Sequence, residues 1–134
     1  MRMIDLSREL YHRTPTYPGQ PPIIHGIWKT HEEAFVESGN VQGNCVMFFS
    51  MPDHGGTHID APRHFGIDSM RPGPMGVVNS LVHKACLELD ITHIESLCNL
   101  EALIGEGEFR FIGLPLKWRG GTGSPIRAVA VFKE

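Results

Sequence analysis

The sequence is poor in cysteine, in long apolar runs and in excess charge of either sign. Its three cysteines form no CxxC pair, so we expect buried thiols of a reducing compartment rather than a disulfide framework. No apolar run approaches the roughly 18 residues of a membrane span. The net charge of −3 provides no basic surface for nucleic acid. The opening segment MRMIDLSREL lacks the apolar centre of a signal peptide, which favours a cytoplasmic protein that binds neither nucleic acid nor membrane.

Length and composition predict one folded domain over residues 1–134, because 41% of the residues are apolar and 20% are charged. The pattern is that of a mixed α/β chain in which strands are in the majority. A segment with four prolines, 11–22, predicts an extended loop, and 66–76 predicts another. The apolar run VMFFSM predicts a buried strand within 41–51. The predicted strands are 3–6, 23–28, 41–51, 91–97, 109–116 and 126–132.

Two helices are predicted in the second half of the chain. Ser80 is a plausible N-cap of the first helix, which ends at Asp90. Its apolar residues fall on one stripe at helical spacing: Leu81, Val82, Ala85, Cys86 and Leu89. Asn99 can cap a short second helix that runs through Ile104 and is closed by Gly105. The glycine-rich segment WRGGTGSP predicts the loop between the last two strands.

Histidine is the residue that stands out, with eight in the chain and three of them inside the segment DHGGTHIDAPRH. His54 and His58 have the i, i+4 spacing of zinc ligands on a helix, but two interior glycines would cost a helix about 2 kcal/mol. A glycine turn followed by an extended piece fits better, with His58 and Asp60 on one side. The turn can bring His54 to the same side. Two imidazoles and a carboxylate are a normal ligand set for a divalent ion such as zinc.

Other titratable residues could complete such a site. His64 lies four residues beyond Asp60, where it can sit beside the ion without binding it, and an imidazole with a pKa near 6.5 suits proton transfer. His83 lies off the apolar stripe of its helix. Glu95 interrupts an apolar strand, so its carboxylate needs a partner. His93 shares the Glu95 face of a regular strand and competes with His83 as a ligand; the residues alone leave this choice open.

The segment HGGTHIDAPRH resembles the HxGTHxDxPxH signature of the cyclase family of metal-dependent hydrolases, which includes kynurenine formamidases and isatin hydrolases. Both ends of the chain agree with this resemblance. IDLSRELYHRTPTYPG is similar to the opening strand and Tyr-Pro-Gly loop of the family, and FIGLPLKWRGGTGSPIRAVAVF to its closing hairpin. HKACLELDITHIESLCNLEAL resembles its late helix-strand-helix segment.

The resemblance implies a fold, a site and an activity. The fold is a mixed swivelling β/β/α barrel-like domain. His54, His58 and Asp60 would bind a first ion, with Asp60 bridging to a second ion held by His83 and Glu95, and His64 would be the catalytic base. The ion is Zn²⁺ or Mn²⁺, one or two per chain. The implied activity is that of an arylformamidase, which hydrolyses N-formyl-L-kynurenine to kynurenine and formate in tryptophan catabolism, and the implied assembly is a homo-oligomer.

Members of this family are longer than 134 residues. The segment that normally precedes the His83-like helix is missing, and the seam falls within 76–79, so we interpret the chain as internally truncated. All ligand candidates survive, but a sheet that lacks strands exposes apolar surface and edges. The alternative function is therefore a catalytically inactive isoform that binds metal or interacts with other subunits. The aromatic residues that could line a substrate pocket, although a core position is the simpler expectation for each, are Tyr17, Trp28, Phe48 and Phe65.

Overall fold

A computed structural model describes residues 1–61, 64 and 77–133, with the backbone alone at 77–80 and Leu87. Eight strands, two α-helices and one 3₁₀-helix follow one another in this part of the chain. In chain order they are β1 (Arg2–Asp5), β2 (Ile24–Lys29), α1 (His31–Glu37), β3 (Val46–Ser50), β4 (His58–Asp60), α2 (Val77–Glu88), β5 (His93–Glu95), a 3₁₀-helix (Leu100–Leu103), β6 (Arg110–Ile112), β7 (Gly123–Pro125) and β8 (Val129–Phe132). The predicted loop 66–76 and Phe65 lie outside the described residues, as does Gly76 at the predicted seam.

The chain divides into two compact units, one made of 1–9 with 53–134 and the other of 10–52. The first unit holds two three-stranded sheets, with strand orders β1-β8-β6 and β5-β4-β7. All of their strand pairs are antiparallel. The mixed α/β class with few helices is confirmed, whereas the barrel-like closure and the single domain over 1–134 stay predictions.

The core of the first unit lies on β8 and the residues leading into it. Its buried apolar residues are Leu6, Ile126, Ala128, Ala130 and Phe132. Ile59 of β4 and Ile94 of β5 pack against this cluster. Because side chains alternate along a strand, the residues on either side of these isoleucines face away from the core. This alternation fixes which face of the β5-β4-β7 sheet is available for polar chemistry.

The second unit pairs β2 with β3 in a two-stranded antiparallel ribbon. The predicted strand is present, but its expected burial is wrong, since Phe48 and Phe49 are 44% and 70% exposed. A two-stranded ribbon has two open faces unless another layer covers them, so the apolar run reflects strand propensity rather than burial. Tyr17 and Trp28, expected in the core, are also exposed, at 67% and 73%.

Helix α1 was not predicted, although the sequence carries a signal for it. The hydroxyl of Thr30 accepts from the backbone N–H of Glu33, and the Glu33 carboxylate accepts from the backbone N–H of Thr30. This reciprocal capping box at T-x-x-E starts the helix. Only seven residues long, the helix is too short for hydrophobic periodicity to reveal it.

Helix α2 differs from its prediction at its start and on its apolar stripe. It begins at Val77, so Ser80 lies inside the helix and is not its N-cap. No glycine or proline lies between Gly76 and Ser80 to stop the helix earlier. Leu81 and Leu89, which form part of the stripe, are 59% and 68% exposed. The stripe therefore does not contribute to the core.

Three smaller expectations also change. Gly123–Pro125, placed in the glycine-rich loop, is a strand because it pairs with β4. Asn99 precedes the 3₁₀-helix with a positive φ of 57°, but its side chain donates to the carbonyl of Asp5 rather than capping the helix. Cys45 is exposed rather than buried, and none of the three cysteines, all within the described ranges, is in a disulfide.

No described helix has the length and apolar content needed to traverse a bilayer.

Candidate metal centre

Strand β4 is the centre of the site. In its antiparallel pairing with β5, His58 lies opposite Glu95 and Asp60 lies opposite His93. Opposed residues project from the same face of a sheet, so these four side chains share the face that points away from the core. A slip of one residue in either strand would turn its two site residues away and bring Ile59 or Ile94 onto this face, which makes the register a strong determinant of the site.

The first ligand group consists of His54, His58 and Asp60, whose ligand atoms all lie within 4.8 Å of one another. Nδ1 of His54 is 2.8 Å from Oδ1 of Asp60, and Nε2 of His58 is 3.4 Å from the same oxygen. The three side chains are 5–7% exposed. The glycine turn brings His54 onto the face of His58 and Asp60, with Gly56 at a positive φ of 67°.

Hydrogen bonding determines which nitrogen of His58 faces the site. Its Nδ1 is 2.9 Å from the carbonyl oxygen of Gly56. A carbonyl only accepts, so Nδ1 carries the proton and Nε2 presents its lone pair to the carboxylates. Histidine ligands of metals are commonly oriented in this way by a backbone carbonyl.

A second set of hydrogen bonds orients His54 from outside the ligand group. The hydroxyl of Thr122 donates to Oδ2 of Asp53 at 2.6 Å, and the backbone N–H groups of Thr122 and Gly123 donate to the same oxygen. Burial raises the pKa of Asp53, but these bonds and the charge of His54 outweigh it and leave the pKa below its usual value. The carboxylate is therefore charged and acts only as an acceptor.

This bonding leaves the other ring nitrogen of His54 with a lone pair. Because the Thr122 proton is committed to Asp53, the Thr122 oxygen accepts from Nε2–H of His54 at 3.1 Å. Nδ1 of the ring faces Oδ1 of Asp60 at 2.8 Å. Two electron-rich atoms at this separation need a shared cation, either a proton or a metal ion.

Gly123 of β7 lies opposite Asp60 and directly beneath the ring of His54. A Cβ atom at this position would lie 2.5 Å from Cε1 of His54 and 2.9 Å from its Nδ1. The requirement for glycine is steric, since any side chain would displace the imidazole. The glycine-rich segment therefore provides one strand of the site, and its Gly123 leaves room for the ring of His54, a candidate ligand.

The second ligand group combines Asp60 with His83, His93 and Glu95. Nε2 of His83, on α2, is 2.8 Å from Oε1 of Glu95 and 3.6 Å from Oδ2 of Asp60. Burial raises the pKa of Glu95, but the hydrogen bond from His83 and the charges of the nearby histidines outweigh it, so its pKa is below the usual value. Asp60 thus presents one oxygen to each group.

The donors of both groups fit a divalent ion. Imidazole nitrogens and carboxylate oxygens are the ligands that zinc and manganese take in proteins. In a tetrahedral site with bonds of about 2.0–2.1 Å, ligand atoms lie roughly 3.3 Å apart. The separations between nitrogen and oxygen in the two groups run from 2.8 to 3.8 Å.

His64 lies against the first group. Its ring centroid is 3.7 Å from that of His54, with the planes inclined by 31°. Partial burial, and then the charge of His54, lower the pKa of His64. A neutral imidazole beside the ligand group can accept a proton at neutral pH.

The structure brings together all five predicted ligands (His54, His58, Asp60, His83 and Glu95) and the predicted base, His64. Sequence reasoning missed Asp53, Thr122 and Gly123. Asp53 and Thr122 are 69 residues apart, and no local pattern links them. The one available signal was the glycine-rich composition around Gly123, which indicated a turn and concealed the strand.

Comparisons with known proteins identify the family of the chain. The sequence model of the family described as putative cyclase matches residues 4–109. A kynurenine formamidase of Bacillus anthracis is 31% identical over 109 residues, covering 76% of this chain and 42% of that protein. A kynurenine formamidase of Bacillus cytotoxicus is 38% identical over 68 residues, covering 51% of this chain and 29% of that protein. The chain thus spans about two fifths of the length of the first of these relatives.

Two solved structures share the fold. One, described as a novel cyclase, has a TM-score of 0.72 at 13% identity and covers 98% of this chain and 88% of its own. The other, described as a potential metal-dependent hydrolase with cyclase activity, has a TM-score of 0.60 at 14% identity, with 99% and 98% covered. At these identities the likeness concerns the fold alone.

Proposed function

The chain belongs to the cyclase family, as its histidine motif predicts, and on that premise we propose that it is a metal-dependent amide hydrolase acting on N-formyl-L-kynurenine. The products are kynurenine and formate. One observation carries the proposal: two groups of nitrogen and oxygen donors converge on the two oxygens of Asp60. The relatives named kynurenine formamidase supply the choice of an aryl formamide as substrate.

In this proposal His54, His58 and Asp60 would hold a first ion, and Asp60, His83 and Glu95 would hold a second. The ion is zinc or manganese. When bound, it supplies Lewis acidity, which polarises a carbonyl and makes a water molecule acidic enough to attack it near neutral pH. The chain itself fixes the ligands, through Gly56 on one imidazole and Thr122 on the other.

His64 is the proposed base of the reaction. Its ring lies on that of His54, so a substrate carbonyl held at the first ligand group is next to it. His64 would take a proton from the attacking water and deliver it to the nitrogen of the departing aromatic amine. Because burial keeps its pKa below the usual value, the ring is in the accepting form at neutral pH.

Turnover of N-formyl-L-kynurenine by purified protein loaded with Zn²⁺ or Mn²⁺ tests this proposal. We expect His64→Ala to lower kcat at least about a hundredfold while both ions stay bound, since it removes proton transfer and no ligand. His31→Ala, which removes an exposed histidine of α1, is the matched control and should leave turnover unchanged. Retained turnover in His64→Ala would contradict the assignment of the base.

A second candidate function is a metal-binding or subunit-interaction protein without turnover. It is favoured by the length of the chain, which spans 42% of the relative from Bacillus anthracis. Stoichiometric metal together with no hydrolysis of N-formyl-L-kynurenine or other formanilides would support this candidate. Protein that folds and binds no divalent ion would contradict the hydrolase and a metal-binding role alike.

A further inference from the structure

We propose that His93 is a ligand of the second ion, so that this ion is held by Asp60, His83, His93 and Glu95 together. The inference rests on the proposed function for the presence of an ion. It adds a nitrogen donor on β5 to the set implied by family resemblance, and makes the second ion the one with more protein ligands.

The register of the sheet places His93 at the second ion position. His93 is the residue of β5 opposite Asp60 in the pairing with β4, and Glu95 follows it on the same face. The intervening Ile94 packs against the core, so its neighbours His93 and Glu95 face away from it. The orientation of His93 toward the carboxylates is therefore imposed by the same packing that orients Asp60.

The distances place Nδ1 of His93 among the ligand atoms. It lies 3.8 Å from Oδ2 of Asp60 and 3.8 Å from Oε1 of Glu95. These separations are too long for hydrogen bonds, yet they are close to the roughly 3.3 Å between two ligands of one tetrahedral ion. The rings of His83 and His93 are 4.6 Å apart at 60°, so both can reach one point without overlapping.

The state of Nδ1 in His93 argues in the same direction. This atom is buried and has no hydrogen-bond partner among the described residues. Leaving a buried polar atom unpaired is unfavourable, and native proteins rarely do so without a ligand, an ion or water to satisfy it. Both nearby groups are carboxylates, which only accept, so a cation shared with them satisfies the nitrogen lone pair and their negative charges together.

The charges of the group suit a divalent cation. Two carboxylates converge with two imidazoles, and Asp60 is 5% exposed. A divalent ion would balance the charges of the two carboxylates. The ligand set of two nitrogens and two oxygens is within the range that zinc accepts.

The test measures ion binding rather than activity. Cd²⁺ enriched in ¹¹³Cd, bound to protein with ¹⁵N-labelled histidine, reports each coordinated imidazole through a scalar coupling between cadmium and nitrogen. We expect one cadmium signal coupled to His54 and His58 and a second signal coupled to His83 and to Nδ1 of His93. A second signal coupled to one imidazole only, or to no imidazole, would overturn the proposal.

Variants give an independent measurement on the intact chain. His93→Ala should weaken the second Zn²⁺ at least about tenfold in competition titrations and leave the first unchanged. His93→Gln, which keeps a polar side chain of similar length, is the second variant if the alanine variant does not fold, and His31→Ala is the control. If a folded variant binds both ions with unchanged affinity, His93 is not a ligand, and the proposed function is unaffected. If wild-type protein binds no ion, both the role of His93 and the proposed function are wrong.

Discussion

The two ligand groups share Asp60 but differ in how their other members are held. The first group comes from one short segment, 54–60, and its side chains are almost fully buried. Each of its imidazoles has a hydrogen-bond partner outside the group that fixes its ring. The second group comes from three elements, β4, α2 and β5, and its side chains other than Asp60 are 14–36% exposed.

This difference has a consequence for affinity. Ligands that are already oriented lose little freedom when an ion binds, so the first group should bind more tightly. The position of His83 depends on α2, which turns Leu81 and Leu89 toward solvent rather than into the core. We therefore expect two separable binding events, with the first group filled first.

The largest effect is expected at the shared residue. Asp60→Asn removes a negative charge from both groups and replaces one carboxylate oxygen by an amide nitrogen that cannot bind a cation, so both ions should be weakened at least about a hundredfold. Metal content after dialysis, measured by elemental analysis, checks this. Asp90→Asn, an exposed acid with positive φ beyond α2, is the control. Loss of one ion only would show that Asp60 does not bridge.

A methyl group added at Gly123 should affect the two ligand groups differently, because it meets a ligand of the first group only. Gly123→Ala places a Cβ where Cε1 of His54 would be 2.5 Å away, so the ring must move. A ligand displaced in this way should weaken the first ion roughly 10–100-fold and leave the second unchanged. Stepwise titration with Zn²⁺ resolves the two events.

Gly26→Ala is the matched control, because it also adds a methyl group to a strand but meets the ring of the exposed Phe48. Equal weakening of both ions by Gly123→Ala would indicate a general loss of structure instead. Far-UV circular dichroism of both variants separates that outcome from a local displacement of His54.

The orientation of His54 by Thr122 can be tested with a smaller change. Thr122→Val keeps the shape of the side chain and removes the hydroxyl that links Asp53 to Nε2 of His54. We expect about tenfold weaker binding of the first ion, the lower end of the range for such outer hydrogen bonds. Thr122→Ser restores the hydroxyl and should restore affinity. Failure of serine to do so would mean that the methyl group, not the hydroxyl, matters.

Local pattern predicted those parts of the site that depend on local geometry. Period-two alternation placed His58 with Asp60 and His93 with Glu95, and the glycine turn accounted for His54. The roles of these residues as ligands, and of His64 as the base, stay predictions. The family, which the segment HGGTHIDAPRH indicated, is confirmed.

What the sequence could not provide was the pairing between distant segments. The register that sets Asp60 opposite His93 follows from the packing of Ile59 and Ile94 on one core, which involves residues far apart in the chain. The same limitation concealed the link between Asp53 and Thr122. Burial was also misjudged for the strand Val46–Ser50, because an apolar run records strand propensity and not what covers the strand.

The smallest effect is expected away from both groups, at the ion pair between Asp5 and Arg127. The guanidinium binds both carboxylate oxygens, at 3.0 and 2.6 Å, and its hydrogen bonds hold the pKa of Asp5 below its ordinary value of 3.8. Because the pKa is lower in the folded state, the stabilisation is present above pH 3.8 and is lost as the pH falls through the folded value. Both side chains are largely exposed, so Arg127→Gln should cost only about 0.5 kcal/mol at pH 7.

Urea denaturation of metal-free wild type and Arg127→Gln at several pH values measures this difference, which should shrink as acid protonates Asp5. Neither ion should bind differently to Arg127→Gln, since the pair lies outside both ligand groups. A change in the affinity of the first ion alone would mean that the sheet containing β1 is coupled to the separate sheet containing β4. Arg8 and Thr57 provide the route for such coupling, because the backbone N–H of Arg8 donates to the Thr57 hydroxyl at 2.8 Å, one residue before His58.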